Sequence, residues 1–296
     1  MVERTPVLNI VAYVALAFGV VMAVGPIYMM LSSASVSNAQ LIGNGLTLVP
    51  GHDFAANVAG AAESIDIPRL LFNSFVVAFL VMAGKMMFAS ITAYAAVYFR
   101  SHFRHLIFWA VFATLLVPLE VRIIPTYAVA ADILSPFTTI LNGLGGLHIE
   151  VKLNLLNTYP GLAMPMIASA TGTFLFRQFF MTIPEELSEA ARMDGAGAVR
   201  FFLDILLPLS KTNFAALGTL VFVGAWKDYM WPLLATTHQD MRTIVLGIAR
   251  FAAADPSHLT QWNLLMASAV IAIIPPLMVV ALMQRWFVRG LVGGEK

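Results

Sequence analysis

Residues 182–208 read Thr182-Ile-Pro-Glu-Glu-Leu-Ser-Glu-Ala-Ala-Arg-Met-Asp-Gly-Ala-Gly-Ala-Val-Arg-Phe-Phe-Leu-Asp-Ile-Leu-Leu-Pro208, a charged island in an otherwise apolar chain. Thr182 followed by Glu185 has the spacing of a capping box, which satisfies the free backbone donors that open a helix. Pro184 belongs in a first helical turn, where its missing N–H is not needed. Gly195 suits the left-handed position that stops a helix. The stretch therefore predicts a short helix over 184–194. A helix of that length is marginal in water, because nucleation is costly. Leu187, Ala190, Ala191 and Met193 give it apolar surface, and Glu185, Glu186, Glu189, Arg192 and Asp194 give it charge. Either it lies on its own chain with the charges in water, or another protein holds it.

The surroundings of this island are membrane-like. Of 296 residues, 59% are hydrophobic and 11% charged, and the mean hydropathy is +0.83. A soluble domain is nearer 45–50% apolar and about 25% charged. The composition excludes a soluble globular enzyme, and it excludes disorder, which needs low hydrophobicity and high net charge. A net charge of +1 provides no basic field for nucleic acid. The absence of cysteine removes disulfides, thiolate metal sites and cysteine nucleophiles.

A bilayer crossing needs about 20 apolar residues. The sequence predicts six: 7–31, 70–98, 105–127 running through Pro118, 155–176, 209–234 and 264–283. The first run is too long for a cleaved secretory signal, whose apolar region is about 7–15 residues. It reads as an uncleaved span, peripheral to a bundle of the other five. Ten Lys and Arg fall in one set of segments (Arg4, Arg100, Arg104, Arg177, Arg192, Arg200, Lys211, Arg285, Arg289 and Lys296) and six in the other. Positive residues favour the cytoplasm, so both termini and the 182–208 loop are expected there. The outer segments 32–68, 128–154 and 235–263 are long for helix connections, and the Gly-rich 142–148 reads as a loop.

Glu189-Ala190-Ala191, with Gly195, Ile205, Leu207 and Pro208, fits the pattern EAA-x3-G-x9-I-x-L-P without a mismatch. This resembles the cytoplasmic loop of permease subunits in bacterial binding-protein-dependent ABC importers of the carbohydrate-uptake type. The resemblance implies a type-1 permease fold over 69–284, with 1–31 as first span, 32–68 as periplasmic loop and 285–296 as cytoplasmic tail. It also implies that the helix docks on an ATPase subunit through Glu189, Ala190, Ala191, Arg192, Asp194 and Gly195, with Ile205, Leu207 and Pro208 completing the loop. The partners implied are a second permease, two ATPase subunits and a periplasmic binding protein. Independently of that likeness, the chain has no G-x-x-x-x-G-K-[ST] phosphate loop; Gly84-Lys85 lacks the rest of it. ATP and Mg would thus be used by the ATPase partner, and no cofactor or metal is expected on this chain. Further stretches, 116–126, 168–182, 207–213 and 283–292, are similar to permeases of the glycerol-3-phosphate type. Lys227 stands where many relatives carry Asn.

Ionisable groups inside a span are costly and are functional candidates by default. Lys85 lies midway along the second span, with Ser74 and Thr92 within about 20° of it at 3.6 residues per turn. It either pairs with a neighbouring helix or meets the cargo. Glu120 and Arg122 lie between Pro118 and Pro125, where irregular backbone is expected beside protein or a water-filled cavity. Arg122 is the better anion contact, because its planar fork matches phosphate, with Glu120 as its partner at rest. Arg177 reads as a residue snorkelling at the cytoplasmic edge. The cargo is then a phosphate ester or, alternatively, a neutral sugar. An ion-coupled secondary transporter is the competing class, but its inverted repeats are not evident and the charged loop would be unexplained. An intramembrane enzyme would need a motif such as H-E-x-x-H or G-x-S-x-G, and neither occurs.

Overall fold

The computed structural model describes residues 6–99, 104–145, 152–168, 170–253 and 260–292, and every regular element among them is helical. Helices close all their backbone hydrogen bonds within one segment, which is what hydrocarbon demands. In chain order they are α1 Pro6–Ser33, α2 Asn38–Asn44, α3 Phe54–Ile65, α4 Ile67–Tyr98, α5 Arg104–Ala113, α6 Leu119–Ala131, α7 Ser135–Gly145 and α8 Tyr159–Ile167. There follow α9 Ala170–Phe180, α10 Glu185–Met193, α11 Ala198–Phe201, α12 Leu207–Leu209, α13 Lys211–Trp226, α14 Met230–Ala235, α15 Ile244–Ala252 and α16 Trp262–Val292.

Three helices are long and apolar enough to cross a bilayer alone: Val7–Ser33, Ile67–Tyr98 and Trp262–Gln284. They correspond to the first, second and sixth expected spans. Two bent pairs, Val121–Ala131 with Ser135–Gly143 at 74° and Ala198–Leu209 with Lys211–Trp226 at 76°, bring the number to as many as 5. The third and fourth expected spans are interrupted. The third stops in a 3-10 turn at Thr114–Leu116 and resumes after Pro118. Val117 before that proline is extended, at φ −89° and ψ 113°, as proline requires of its predecessor. The fourth breaks at the extended Ala168. Two expectations are corrected. Pro125 does not disrupt its segment but sits inside a continuous α6, so positions 120–124 are regular helix rather than irregular backbone. In the Gly-rich stretch, 142–145 completes α7 instead of forming a loop, and 146–148 lies outside the described residues. Arg4, Arg100 and Lys296 of the charge count lie outside them too, as do the side chains of Arg104, Arg285 and Arg289.

The chain forms two compact units. The first comprises Met1–Arg69 and Gly247–Ile274. The apolar window of α1 has 0% of its surface buried, as a peripheral span would. Its C-terminal end is locked, with Ser32, Ser33, Ala34 and Ser35 all buried. The Asn57 amide donates to the carbonyls of Ala34 and Val36, each at 2.9 Å, and accepts from Asn263 at 2.7 Å. Gly51 N–H donates to Ser35 Oγ at 2.8 Å, and a Cβ at Gly51 would strike the Ser35 carbonyl. Ser37 and Gln40 form a full capping box at α2. The outer segment 32–68 is therefore built structure carrying α2 and α3.

The second unit comprises Leu70–Leu246 and Pro275–Lys296. One apolar cluster joins Met86, Ala89 and Ala93 of α4 to Phe176 and Phe180 of α9, Ala191 of α10, and Phe201, Leu206 and Leu217. Near the middle of α4, a Cβ at Gly84 would fall 2.6 Å from Ile167 Cδ1, so α4 and α8 touch closely there. At the other end of α4, Asn73 donates to the carbonyls of Asp240 (2.8 Å) and Arg242 (2.9 Å) and accepts from Tyr159 (2.7 Å).

Candidate coupling and translocation sites

The charged island folds as a helix fenced at both ends, with one fence moved. α10 begins at Glu185 behind Pro184, which makes no side-chain cap. The Thr182 hydroxyl donates instead to the Phe179 carbonyl at 2.7 Å, so the expected Thr182–Glu185 capping box does not form. Proline holds the N-cap position, and Thr182 is left to close the turn that ends α9. The C-terminal fence is as expected. Gly195 has φ +74°, its N–H donates to Arg192 O at 3.0 Å, and Ala196 N–H donates to Ala191 O at 2.8 Å. These are the two bonds of a Schellman ending.

Among the described residues, Ala191 is the one residue of this helix that is buried in the chain's own bundle, with Ser188 half-buried beside it. Ala191 is buried among Phe180, Phe201 and Leu206, with Tyr94 and Tyr98 packed at the edge of the group. Glu185, Glu186, Glu189, Ala190, Arg192, Asp194 and Gly195 are exposed. So are Leu187 at 40% and Met193 at 83%. The helix thus lies on its bundle by small residues, Ala191 above all, and turns a mixed apolar and acidic face outward. Ile205 is half-buried against the cluster, Leu207 is half-buried and Pro208 is exposed. The helix that carries them widens into a π turn at Phe202–Leu206 just before Pro208. A proline ring clashes with the carbonyl four residues back, and a wider turn relieves that clash. Arg200 and Asp204 form an exposed i,i+4 pair at 3.3 Å, which adds little stability.

Two tyrosines of α4 bind this loop. Tyr94 Oη donates to Ala198 O at 2.9 Å, and Tyr98 Oη to Phe180 O at 3.4 Å. Their rings lie 5.1 Å from Phe202 and 5.2 Å from Phe201 respectively. Between them and α10 is a cavity of about 290 Å³, lined also by Ser188, Arg192 and Gly197.

The intramembrane charges come together differently from expectation. Lys85 is half-buried beside the close α4–α8 contact at Gly84. Asp228 attracts it and Arg122 repels it, and it forms no ion pair among the described residues. Arg122 is exposed on α6. Glu120, proposed above as its partner, is two positions away on regular helix, and such positions do not face each other; the Glu120 side chain lies outside the described residues. Of the polar stripe on α4, Ser74 is used structurally, accepting the Ile244 N–H at 2.7 Å, and Thr92 is half-buried. Arg177 occupies the last turn of α9, half-buried.

Sequence reasoning passed over Asp228. The signal was present, since a carboxylate in the apolar run 209–234 is as costly as Lys85. Asp228 and its neighbour Lys227 sit in different surroundings. Lys227 is exposed at the end of α13, whereas Asp228 is half-buried in the turn before α14. The N–H groups of Tyr229, Met230 and Trp231 face its carboxylate, and the enclosed Oδ2 has no hydrogen-bond partner among the described residues. α14 packs on α6 and α8, and Trp231 Nε1 donates to Gly161 O of α8 at 3.2 Å.

Known proteins with this pattern agree on a class. Residues 85–293 match the family model described as binding-protein-dependent transport system inner membrane component. The chain is 45% identical over 303 residues to the sn-glycerol-3-phosphate transport system permease protein UgpE of Agrobacterium fabrum, covering 100% of both. It is 46% identical over 302 residues to the protein of the same name from Yersinia enterocolitica, again covering 100% of each. Among solved structures, a bacterial ABC transporter involved in the import of the acidic polysaccharide alginate aligns with TM-score 0.75 at 20% identity, over 97% of this chain and 99% of that one. That likeness speaks to the fold. Interrupted membrane helices, an exposed short helix behind a left-handed glycine, and the family match from Lys85 onward all point one way: the chain belongs to the inner-membrane permease subunits of binding-protein-dependent ABC importers.

Proposed function

We propose that this chain is one of two membrane-spanning subunits of an ATP-driven importer of sn-glycerol-3-phosphate or a related glycerophosphodiester. The observation that carries the reading is the likeness, over its whole length, to permeases named for that cargo. The chain itself is non-catalytic. ATP and Mg act in two ATPase subunits docked on the exposed face of α10, a second permease completes the path, and a periplasmic binding protein delivers the cargo. Both termini face the cytoplasm, on the side of α10. Closure of the ATPases moves α10, and the movement passes through Ala191, Tyr94 and the aromatic cluster into α4, which carries Lys85.

The test is ATP-dependent uptake by the reconstituted complex, offered labelled phosphate esters, phosphodiesters and neutral sugars in parallel. Uptake of glycerol-3-phosphate with its binding protein, abolished when ATP is omitted, is the expected result. Uptake of a neutral sugar and of no phosphate ester overturns the cargo assignment.

A further inference from the structure

The stretch 42–49, which follows α1 and most of α2, turns its large apolar side chains outward. Leu41 is buried, but Ile42 and Leu46 are exposed, as are Leu48 at 60% and Val49 at 73%. Hydrogen bonds to the end of α1 fix their height. The chain leaves α2 through Gly45, at φ +74°, and runs back beside residues 32–35. Thr47 N–H donates to Ser33 Oγ at 3.4 Å, and Ser32 Oγ donates to Leu48 O at 3.5 Å. Further on, Asp53 N–H donates to Ser35 O at 2.9 Å. Leu46, Leu48 and Val49 therefore stand level with the last turn of α1. That turn lies at the edge of the bilayer. The span Val7–Ser33 has 27 residues, or about 40 Å at 1.5 Å each, against about 30 Å of hydrocarbon and about 40–45 Å with the headgroups. A helix of that length that starts at one surface ends among the headgroups of the other.

We propose that residues 42–49 rest on the outer leaflet, with Ile42, Leu46, Leu48 and Val49 seated between lipid headgroups as an interfacial anchor of the first unit. The choice of the outer leaflet rests on the orientation proposed above, with both termini in the cytoplasm. Three observations favour lipid as the occupant. No Asp, Glu, Lys or Arg occurs from position 5 through 52, whereas the rim of a protein interface is polar. The apolar window of α1, 0% buried, leads without a break to the loop that is bonded to its end. Two aromatic residues of the kind enriched at membrane surfaces belong to the same unit: Tyr28 is exposed near the end of α1, and Trp262 is exposed at the start of α16, its N–H donating to Asn38 Oδ1 at 2.9 Å. The depth also suits the backbone. Irregular chain is not tolerated beside lipid in hydrocarbon, but at headgroup level its polar groups reach water while apolar side chains dip about 5–10 Å inward. Asn57, bonded to Ala34, Val36 and Asn263, joins the loop, the end of α1 and the start of α16 into one cap at that surface.

The chain has no cysteine, so a single introduced one is a unique handle. Leu48→Cys, Val49→Cys and, as the control in water, the exposed Glu63→Cys are each labelled with a small fluorophore. The labelled chain is assembled with partner subunits that carry no cysteine, in bilayer discs, with and without the binding protein. Lipid brominated near the headgroup should remove most of the emission at positions 48 and 49 and leave position 63 nearly unchanged. Iodide in the water should do the reverse. Iodide quenching at 48 and 49 as strong as at 63 overturns the proposal, because the loop then faces water. Shielding from both quenchers also overturns it: a second permease covers the loop if the shielding is constant, and the binding protein does if the shielding appears only on its addition. Orientation is read separately, from whether an impermeant maleimide outside intact cells reaches Glu63→Cys. No labelling there overturns the outer-leaflet assignment and the orientation on which it rests, while the quenching pattern still decides lipid contact.

Discussion

Tyr94 Oη donates to the carbonyl of Ala198 at 2.9 Å, and so joins the C-terminal end of α4 to the backbone just beyond the glycine that ends α10. The two residues lie 104 positions apart in the chain. Lys85 lies on the same continuous helix as Tyr94, so on the proposed reading a displacement of the loop would reach Lys85 through one element.

Tyr94→Phe tests this link. The ring contacts with Phe202 and Tyr98 survive, and only the hydroxyl is lost. A net hydrogen bond is worth about 1 kcal/mol, so the subunit should still fold and insert. The cargo transported per ATP hydrolysed should drop while membrane abundance stays near wild type. Parallel assays of uptake and phosphate release measure that ratio.

Gly195 offers a test by backbone geometry alone. Its φ of +74° is a conformation that costs other L-residues about 1–2 kcal/mol. A Cβ there would meet nothing within 4 Å, so crowding plays no part. Gly195→Val should therefore re-aim the residues after α10 and uncouple ATP hydrolysis from uptake, with normal insertion. Gly195→Asn, which tolerates the left-handed region, should be much milder. Equal coupling in the Val and Asn variants would refute the geometric argument.

These two positions differ in how readable they were. Gly195 was legible because a helix with a small apolar face must end somewhere, and glycine at that spacing is where the left-handed turn falls. The three long spans were legible for a similar reason, as uninterrupted apolar length has one meaning in a bilayer. The broken spans were not, because hydropathy is blind to the extended residue that Pro118 imposes on Val117 or to the break at Ala168. Thr182 misled for a local reason: a proline two residues later took the cap. Asp228 and Lys85 are 143 positions apart, and no periodicity within one helix could pair them. Tertiary packing alone brings Arg122 within electrostatic reach of Lys85.

Glu189 stands exposed at the middle of α10, and Ala191 two residues on is buried. Positions two apart on a helix point to different sides, so Glu189 belongs to the face that the bundle leaves uncovered. Glu189→Lys should weaken capture of the ATPase subunits by the detergent-solubilised permease pair and leave permease pairing intact. The effect should lessen as salt is raised, because exposed charges are screened within about 10 Å at 0.1 M. Unchanged ATPase capture at low salt would mean that Glu189 only meets water.

Ala191 tests the inner side of the same helix. It is 5% exposed, within an aromatic cluster. Ala191→Leu adds volume where the packing is closed, which typically costs about 1–3 kcal/mol. The strain falls on a short helix that buries little else, so α10 should lift rather than the bundle unfold. Limited proteolysis of the membrane-embedded complex should then cut within 182–208 faster than in wild type. Cleavage at the wild-type rate would show that the cluster absorbs the added volume and that Ala191 does not hold the helix down.

Arg122 gives a graded test of the proposed path. It is exposed on α6 and close enough to act on Lys85. An anion crossing this region needs positive charge, since an unpaired charge in low dielectric is very costly. Arg122→Lys keeps the charge and loses the planar two-pronged donor set; Arg122→Ala loses both. Uptake of glycerol-3-phosphate should therefore fall in the order wild type, Arg122→Lys, Arg122→Ala. Lys85 remains in the Ala variant. The loss should then be partial, and a further Lys85→Met change should complete it. The measurement is initial uptake rate at saturating binding protein, normalised to membrane abundance. Normal uptake by Arg122→Ala, and by Arg122→Ala with Lys85→Met, would take both cations out of the cargo's path and leave them as packing elements of the second unit.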